Sequence, residues 1–271
     1  MDAKELAYLH DLYVAPDWGE RFAELLDESI ALPEEGEVLY ISAGTGGHAL
    51  ALLERASEDV QLVCTDEDAE RLEIARAKAD VMKLAERVKF RVAPMEETGF
   101  DAGRFDLVIA EASLTTPARL PQIFAEAARV ATYDGLIALG TTTAASFGEF
   151  FSIYWEALDR AGLDQIATDV VSRFINEQPT ISHLEEIAEQ SGLKNIKTRT
   201  RIEEFRYDSG EDFLNSPFIA HFLLEKWLAP IPEIERRSAI LREIAQLIDE
   251  ERHHADFPLT YKATVITGRK R

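Results

Sequence analysis

The stretch that decides the fold runs from Glu37 to Leu50 and reads EVLYISAGTGGHAL. Its first residues are mostly apolar and predict a buried strand, and the small residues at 42–47 predict a turn. Apolar residues then recur at helical spacing, so the turn leads into a helix N-terminus, where free N–H groups and the positive end of the helix dipole meet. Because glycine lets a ligand approach the backbone closely, the pattern predicts a nucleotide or cofactor cradle. A tight strand-to-helix connection without a ligand is the alternative.

Further apolar segments follow this stretch and alternate with helical patterns. We predict strands at 38–41, 60–66, 88–92, 105–111 and 135–140, followed by a sixth at 196–203 and a seventh at 261–267. Strands that alternate with helices predict a parallel, doubly wound α/β sheet. Ligands of such sheets bind at the C-terminal ends of the strands, where the glycine turn, Asp66, Met95 and Glu111 should all lie.

Asp66 ends the second strand about 20 residues after the glycine turn. A carboxylate at that place can accept hydrogen bonds from both hydroxyl groups of an adenosine ribose. An aspartate at a strand end is also a good N-cap for the next helix, a role that Asp68 or Glu70 could share. We favour the ribose role because the strand, the glycines and the acid occur together.

The segment 37–140 resembles the class I S-adenosylmethionine-dependent methyltransferases, in particular their small-molecule, type 11-like branch. The residues 41–46 look like that family's first motif, and similarity continues through the helix at 72–79, the phrase 103–108 and the residues 128–136. The resemblance implies a Rossmann-like seven-stranded methyltransferase sheet, mostly parallel with an antiparallel last strand. It also implies S-adenosylmethionine as cofactor. The cofactor-binding residues it implies are Ser42, Ala43, Gly44, Thr45, Gly46, Asp66, Glu67, Met95 and Glu111.

Three positions depart from the family pattern. Tyr40 stands where the family usually has an acidic residue in the first strand, Ser42 stands where it has the first glycine, and Pro94 replaces an aspartate after the third strand. These changes motivate an alternative, a non-catalytic partner or regulatory protein with an altered cofactor motif. The turn also fits G-x-G-x-x-A over 44–49, which keeps an NAD(P)-dependent enzyme as a third hypothesis.

Composition restricts the partners. The chain has 271 residues with 50 acidic and 29 basic side chains, and its formal net charge of −21 disfavours nucleic acid and anionic membranes. The one cysteine, Cys64, lies in an apolar strand and fits a reducing cytoplasm. We see no signal peptide and no apolar run near the roughly 20 residues that a membrane-spanning helix needs.

The remaining segments are predicted to cover the sheet. We expect 1–271 to form a single methyltransferase-like domain with an N-terminal helical segment at 1–32, broken at Pro16, and a cofactor-binding core at 37–140. A second helical unit at 209–256 between the last two strands is expected to be a lid or an association surface. A capping-box pattern predicts a helix that starts at Ser182. The His253-His254-Asp256 cluster does not favour a metal site, because adjacent helical histidines point apart and no third cluster completes a ligand set.

The function implied by this resemblance is direct transfer of the sulfonium methyl group to a small molecule. The enzyme would supply proximity, in-line orientation and exclusion of water, with no covalent enzyme intermediate. A hydroxyl or acidic carbon as acceptor requires a base, and the candidates are His183, His221 and Glu111. The sequence assigns none of them a catalytic role. It predicts no metal, and it leaves the acceptor and the oligomeric state open, with a homodimer as one option.

Overall fold

The computed structural model describes residues 1–231, 233–251 and 256–271, which divide into two compact units. The first unit contains Met1–Thr141, Thr180–Arg201 and Ala263–Arg271. The second contains Thr142–Pro179 and Ile202–Lys262. The glycine turn and every cofactor-binding residue predicted from the sequence belong to the first unit.

Seven strands form one sheet in the spatial order β3-β2-β1-β4-β5-β7-β6. The strands are β1 Gly36–Ile41, β2 Val60–Asp66, β3 Val88–Val92, β4 Phe105–Glu111, β5 Ala131–Thr142, β6 Leu193–Tyr207 and β7 Phe257–Lys270. The pairs β1–β2, β1–β4, β2–β3 and β4–β5 are parallel. The strand order changes direction at β1, with β2 on one side and β4 on the other. In doubly wound sheets, this is the place where ligands bind.

The strand β7 runs antiparallel to its neighbours, as predicted for the last strand. Its contacts show the direction: Arg269 near its end donates a hydrogen bond to the carbonyl oxygen of Asp134 at the start of β5. On the other side, the hydroxyl groups of Thr264 and Thr200 lie 2.9 Å apart, and Thr267 donates to the carbonyl oxygen of the earlier residue Lys197. The fold class predicted from the sequence is therefore confirmed.

Eleven α-helices are found in the described parts of the chain. They are α1 Ala3–Leu9, α2 Glu20–Asp27, α3 Gly47–Arg55, α4 Ala69–Val81, α5 Leu120–Val130, α6 Gly148–Arg160, α7 Asp164–Glu177, α8 Ile181–Gln190, α9 Gly210–Asn215, α10 Leu224–Leu228 and α11 Ile234–Glu251. Short segments of other helical type are π-helical His10–Gly19 and Ile219–Leu223 and the 3₁₀ turn Pro117–Arg119.

Alternating residues of the central strands bury both faces of the sheet. Leu39 and Ile41 of β1 and Val108 of β4 pack in one cluster with Ile123 and Phe124 of α5. The residues between them, such as Tyr40 and Ile109, are equally buried and face the other side. Such strands, apolar on both faces, are typical of parallel sheets with helices on each side.

Two local predictions of helix boundaries were wrong. The chain does not break at Pro16, because the π-helical segment His10–Gly19 continues through it. The helix α8 starts at Ile181, one residue earlier than predicted, because the side chain of Thr180 accepts a hydrogen bond from the His183 N–H group and is the N-cap.

The second unit has an aromatic interior. Phe150 of α6 stacks on Trp227 with ring centroids 4.2 Å apart and on Tyr154 at 5.6 Å, and the Tyr154 hydroxyl donates a hydrogen bond to the Trp227 carbonyl oxygen. These rings are buried. Core packing therefore accounts for the aromatic pattern of α6.

Candidate functional site

The glycine turn joins β1 to α3 in a strained, compact path. Ser42, Gly44 and Gly46 all have positive φ angles, of 60°, 56° and 80°. The Gly46 N–H group donates to the Ala43 carbonyl oxygen at 3.0 Å, and the Ala43 N–H group donates to Thr65 of the neighbouring strand at 2.9 Å. The turn is thus tied both to itself and to the end of β2. This geometry places the predicted residues 42–46 together, as the sequence indicates.

Ser42 carries strain that glycine would not have. A side chain in the left-handed region costs about 1 kcal/mol or more, and Ser42 has a φ of 60°. We expect Ser42→Gly to raise the free energy of unfolding by about 0.5 to 1 kcal/mol, measured by urea denaturation. Ser42→Ala is the control, because it removes the hydroxyl group but keeps the Cβ atom. Equal stability of the two variants would contradict this prediction.

Asp66 ties the glycine turn to the start of α4. One carboxylate oxygen accepts a hydrogen bond from the Gly44 N–H group at 2.8 Å, and the other accepts one from the Asp68 N–H group at 2.9 Å. The side chain is 3% exposed, and this burial raises its pKa, while Arg71, 4.0 Å away, acts in the opposite direction. The N-cap of α4 is Asp68. Asp66 is therefore available for a role beyond capping.

Glu67 follows the end of β2 and Met95 follows the end of β3, and the two residues contact each other. The Met95 N–H group lies 3.4 Å from a carboxylate oxygen of Glu67, and the Thr115 hydroxyl lies 3.3 Å from the Met95 sulfur. The Arg119 guanidinium contacts Glu67 and also donates to Glu96 at 2.6 Å, which lowers the pKa of the Glu96 carboxyl group. Arg119 was not identified from the sequence, because it lies in a 3₁₀ turn outside every motif.

Glu111 ends β4, and Ser113 connects it by hydrogen bonds to the N-terminal segment. One of its carboxylate oxygens accepts a hydrogen bond from the Ser113 N–H group at 2.9 Å, and the Ser113 hydroxyl accepts one from the indole N–H group of Trp18 at 2.7 Å. Burial raises the pKa of Glu111. Trp18 and Ser113 are separated by 95 positions in the sequence, and no motif connects them. Only the tertiary structure shows that the N-terminal segment reaches this edge.

His10 brings the same N-terminal segment to the glycine turn. A Cβ atom added at Gly44 would lie 2.8 Å from Cε1 of the His10 ring, so the imidazole covers this glycine directly. Burial lowers the pKa of His10 to about 3, with further contributions from Arg71 and Lys78. The neighbouring Asp11 forms an ion pair with Lys78 of α4. Contacts of His10 and Asp11 at one end and of Trp18 at the other therefore fix the segment 10–19 beside the C-terminal ends of the strands of the first unit.

A chain of hydrogen bonds connects Tyr40 of β1 with His48 of α3 and Asp27 of α2. It lies on the face of the sheet opposite to Leu39 and Ile41. The Tyr40 hydroxyl lies 2.9 Å from Nδ1 of His48, and Nε2 of His48 lies 2.9 Å from a carboxylate oxygen of Asp27. Arg55 contacts the same carboxylate. Hydrogen bonds from His48 and Arg55 outweigh the effect of burial and lower the pKa of Asp27 to about 2. Tyr40 is a departure from the family pattern, but no sequence motif connects it with His48 and Asp27.

Two of the three candidate bases belong to the first unit and the third belongs to the second. Glu111 lies at the strand edge with the glycine turn, whereas His183 is an exposed residue of α8 whose imidazole lies 3.9 Å from Glu186 on the same helix. His221 belongs to the second unit. His253 and His254 lie outside the described residues. Across the described parts of the chain, no group of three His, Cys, Asp or Glu side chains is arranged to hold a metal ion.

The first unit fits an adenosine-containing cofactor. Its glycine turn has no Cβ atom at Gly44 or Gly46, and a buried acid fixes that turn. In addition, the hydroxyl oxygens of Thr45 and Thr65 are buried without a hydrogen-bond partner among the described residues. Buried polar atoms of this kind call for a partner, which a polar ligand at the turn would provide.

Comparison with known proteins identifies a related family. Residues 38–135 match the family described as a methyltransferase domain. A ubiquinone/menaquinone biosynthesis C-methyltransferase from Citrifermentans bemidjiense is 26% identical over 191 residues, which cover 69% of this chain and 79% of that protein. A second enzyme of the same name, from a Geobacter species, is 34% identical over 86 residues, 32% of this chain and 37% of that protein.

Solved structures show the same fold at low sequence identity. The YcgJ protein from Bacillus subtilis superimposes with a TM-score of 0.60 at 19% identity and covers 93% of this chain and 99% of its own. A phosphoethanolamine N-methyltransferase from Haemonchus contortus, determined with S-adenosyl-L-methionine, has a TM-score of 0.55 at 16% identity and covers 93% of this chain and 52% of its own. These findings do not favour the nicotinamide or the non-catalytic hypothesis. No helix of the described residues is long and apolar enough to cross a membrane.

Proposed function

Because this chain is a class I S-adenosylmethionine-dependent methyltransferase, we propose that its acceptor is a small ring compound of the hydroquinone type. The observation that carries this proposal is the similarity over 69% of the chain to an enzyme named for ubiquinone and menaquinone biosynthesis. The net charge of −21 supports a small, uncharged acceptor over a nucleic acid.

We propose that the nine residues predicted from the sequence hold the cofactor in the first unit. When bound, S-adenosylmethionine supplies an electrophilic methyl group on a sulfonium centre. The glycine turn of residues 42–46 allows close approach to its backbone, and Asp66 fixes the turn and offers a buried acceptor. Glu67, which contacts the Met95 N–H group and the Arg119 guanidinium, forms a side wall, and Glu111 offers a second, partly buried carboxyl group.

The proposal assigns catalysis to positioning and exclusion of water. Transfer of a methyl group from a sulfonium requires no covalent intermediate on the protein, so the chain needs to orient both reactants. The buried N-terminal contacts of His10 and Trp18 support a role of this segment in excluding water. The exposed position of His183 gives no support for its role as a base.

We also propose how the chain is organised. Residues 1–271 act as a single methyltransferase domain, and the helical segment 209–256 serves as a lid or an association surface, with a homodimer as the assembly to test. A cytoplasmic location is consistent with the buried thiol of Cys64. Light scattering of the purified protein measures its mass in solution; a monomeric mass would contradict the homodimer.

The acceptor class is tested by following formation of S-adenosylhomocysteine with a panel of acceptors. The panel contains a short-chain prenylated hydroquinone, catechol, phosphoethanolamine, transfer RNA and a histone. We expect turnover with the hydroquinone and none with RNA or protein. Turnover with phosphoethanolamine or a macromolecule alone, or with no member of the panel, would overturn the hydroquinone proposal. The Asp66→Asn variant serves as the background control.

A further inference from the structure

The strand β6 forms one edge of the seven-stranded sheet, beside β7, and no further strand of the described residues lies beyond it. It has 15 residues, Leu193–Tyr207, whereas a typical strand has about five or six. Asn195, with a φ of 54°, interrupts its start, but the strand contains neither glycine nor proline. A long edge strand of this kind presents a row of N–H and C=O groups with which another chain can pair.

Ile202 lies near the middle of β6 with 70% of its surface exposed. Its side chain points to the same face of the sheet as those of Thr200 and Glu204, because side chains alternate along a strand. Single exposed apolar residues are common on protein surfaces, so exposure alone does not identify what covers Ile202. The charges around Ile202 provide that information.

The charges of β6 divide at Ile202. Three basic residues precede it and two acidic residues follow it directly, namely Lys197, Arg199, Arg201, Glu203 and Glu204. A second β6 that runs in the opposite direction therefore brings its acidic residues toward the basic residues of the first, and opposite charges on facing strands stabilise their pairing. The net charge of −21 makes general contact between two copies unfavourable, so their association needs a self-complementary stretch of this kind.

The same charges select one register. When two copies are related by a two-fold axis through the joined sheet, one residue of β6 lies opposite its own copy. With Ile202 at that position, two apolar side chains meet, and each Arg201 faces a Glu203 of the other copy. Arg206 then faces Thr198, so no like charges are directly paired. A shift of the centre by one residue would place Arg201 or Glu203 opposite itself, which is destabilising.

Contacts within one copy leave this pattern in place. Arg201 contacts Glu24 and Glu28, and Arg199 contacts Glu28. All of these side chains are at least 34% exposed. Exposed ion pairs contribute little energy each, so these contacts do not remove the preference for an acidic residue opposite Arg201.

We propose that two copies of this chain pair along β6 in antiparallel orientation, with Ile202 opposite its own copy, so that their sheets join. This interface deepens the homodimer proposed above and rests on it. It places the association surface on β6, which leaves the helical segment 209–256 as the lid. It requires neither the cofactor nor the methyl acceptor, so its outcome is separate from that of the proposed reaction.

Light scattering of the Ile202→Lys variant over a range of concentrations tests the interface. The substitution places two like charges opposite each other on the two-fold axis and removes the apolar contact, so we expect the dissociation constant of the dimer to rise at least about tenfold. The matched control is Val81→Lys, at a residue of α4 that is 84% exposed and lies outside β6. Its dissociation constant should stay within about twofold of that of the unmodified protein. Circular dichroism melting shows whether each variant is folded.

Cysteine cross-linking tests the register. In Ile202→Cys the two Cα atoms should lie about 4.5 to 5.5 Å apart, a distance that a disulfide spans. In Glu204→Cys each cysteine faces Thr200 of the other copy, and its own copy lies four residues, about 13 Å, along the strand. The natural Cys64 is buried. Mild oxidation is therefore expected to link Ile202→Cys at least about tenfold faster than Glu204→Cys.

The combined results decide the proposal. A dimeric mass that is lost in Ile202→Lys and kept in Val81→Lys, with faster linkage of Ile202→Cys, supports it. A monomeric mass of the unmodified protein overturns it together with the homodimer, while the proposed methyl transfer is unaffected. A dimer that a folded Ile202→Lys does not weaken overturns β6 as the interface and favours the segment 209–256. Equal or faster linkage of Glu204→Cys overturns the proposed pairing. If Ile202→Lys does not fold, the two cysteine variants decide.

Discussion

Asp66→Asn is expected to weaken binding of S-adenosylmethionine about 100-fold. The Asp66 carboxylate accepts hydrogen bonds from Gly44 and Asp68 and is almost fully buried. An amide replaces one of these oxygens by an N–H donor, which faces the N–H group of the turn. Loss of a buried charge-assisted hydrogen bond costs on the order of 3 kcal/mol, which corresponds to this factor. Calorimetric titration measures it.

The matched control for this prediction lies two residues away. Asp68 is the N-cap of α4 and accepts hydrogen bonds from the N–H groups of Glu70 and Arg71. Because asparagine is about as good an N-cap as aspartate, Asp68→Asn removes the same charge with little change in stability. We expect its affinity for S-adenosylmethionine to stay within about threefold of the unmodified protein. Similar losses in the two variants would mean that net charge, and not the Asp66 contact, controls binding.

Gly46→Ala is expected to cost about 2 to 5 kcal/mol of unfolding free energy and to abolish cofactor binding. Gly46 has a φ of 80°, and a Cβ atom there would lie 2.8 Å from the Cβ atom of Ala75 and 3.3 Å from its Cα atom. The left-handed backbone costs about 1 to 2 kcal/mol for an alanine, and overpacking against a helix adds about 1 to 3 kcal/mol. Urea denaturation measures the stability, and titration with S-adenosylhomocysteine measures binding.

The neighbouring glycine provides the comparison. A Cβ atom at Gly47, the first residue of α3, meets nothing within 4 Å. Alanine is the better helix former, so Gly47→Ala should leave stability unchanged or raise it by up to about 1 kcal/mol. If Gly46→Ala and Gly47→Ala lower the free energy of unfolding by the same amount, the contact with Ala75 of α4 is not the reason that position 46 requires glycine.

Local sequence was sufficient for three strands, of which β2 and β4 are buried on both faces and β3 is a mostly exposed edge strand. The predicted bounds of β2, β3 and β4, residues 60–66, 88–92 and 105–111, agree with the structure, because the flanking turns and helices end each apolar run clearly. In β5 the prediction began at Gly135, four residues late. Asp134 has a φ of 61°, and the β4–β5 register shifts before Leu107, so the strand continues through an irregularity that resembles a turn in the sequence.

Two helical regions of the second unit differ from the prediction. The helix α7 was not predicted, although it spans Asp164–Glu177. The first part of the segment predicted as a helical unit at 209–256 is divided at Pro217 into α9, the π-helical turn Ile219–Leu223 and α10. Proline has no N–H group for the helical ladder, so a new segment begins there.

For the candidate site, the sequence by itself determined the glycine turn, Asp66 and the strand ends, because these residues are consecutive or follow a fixed topology. Only the tertiary structure decided which residues surround them. His10, Trp18 and Arg119 reach the site from distant segments, and Asp27 meets His48 from another helix. The physical reason is that hydrogen bonds and burial depend on distance in space, whereas sequence patterns report only what neighbours along the chain require.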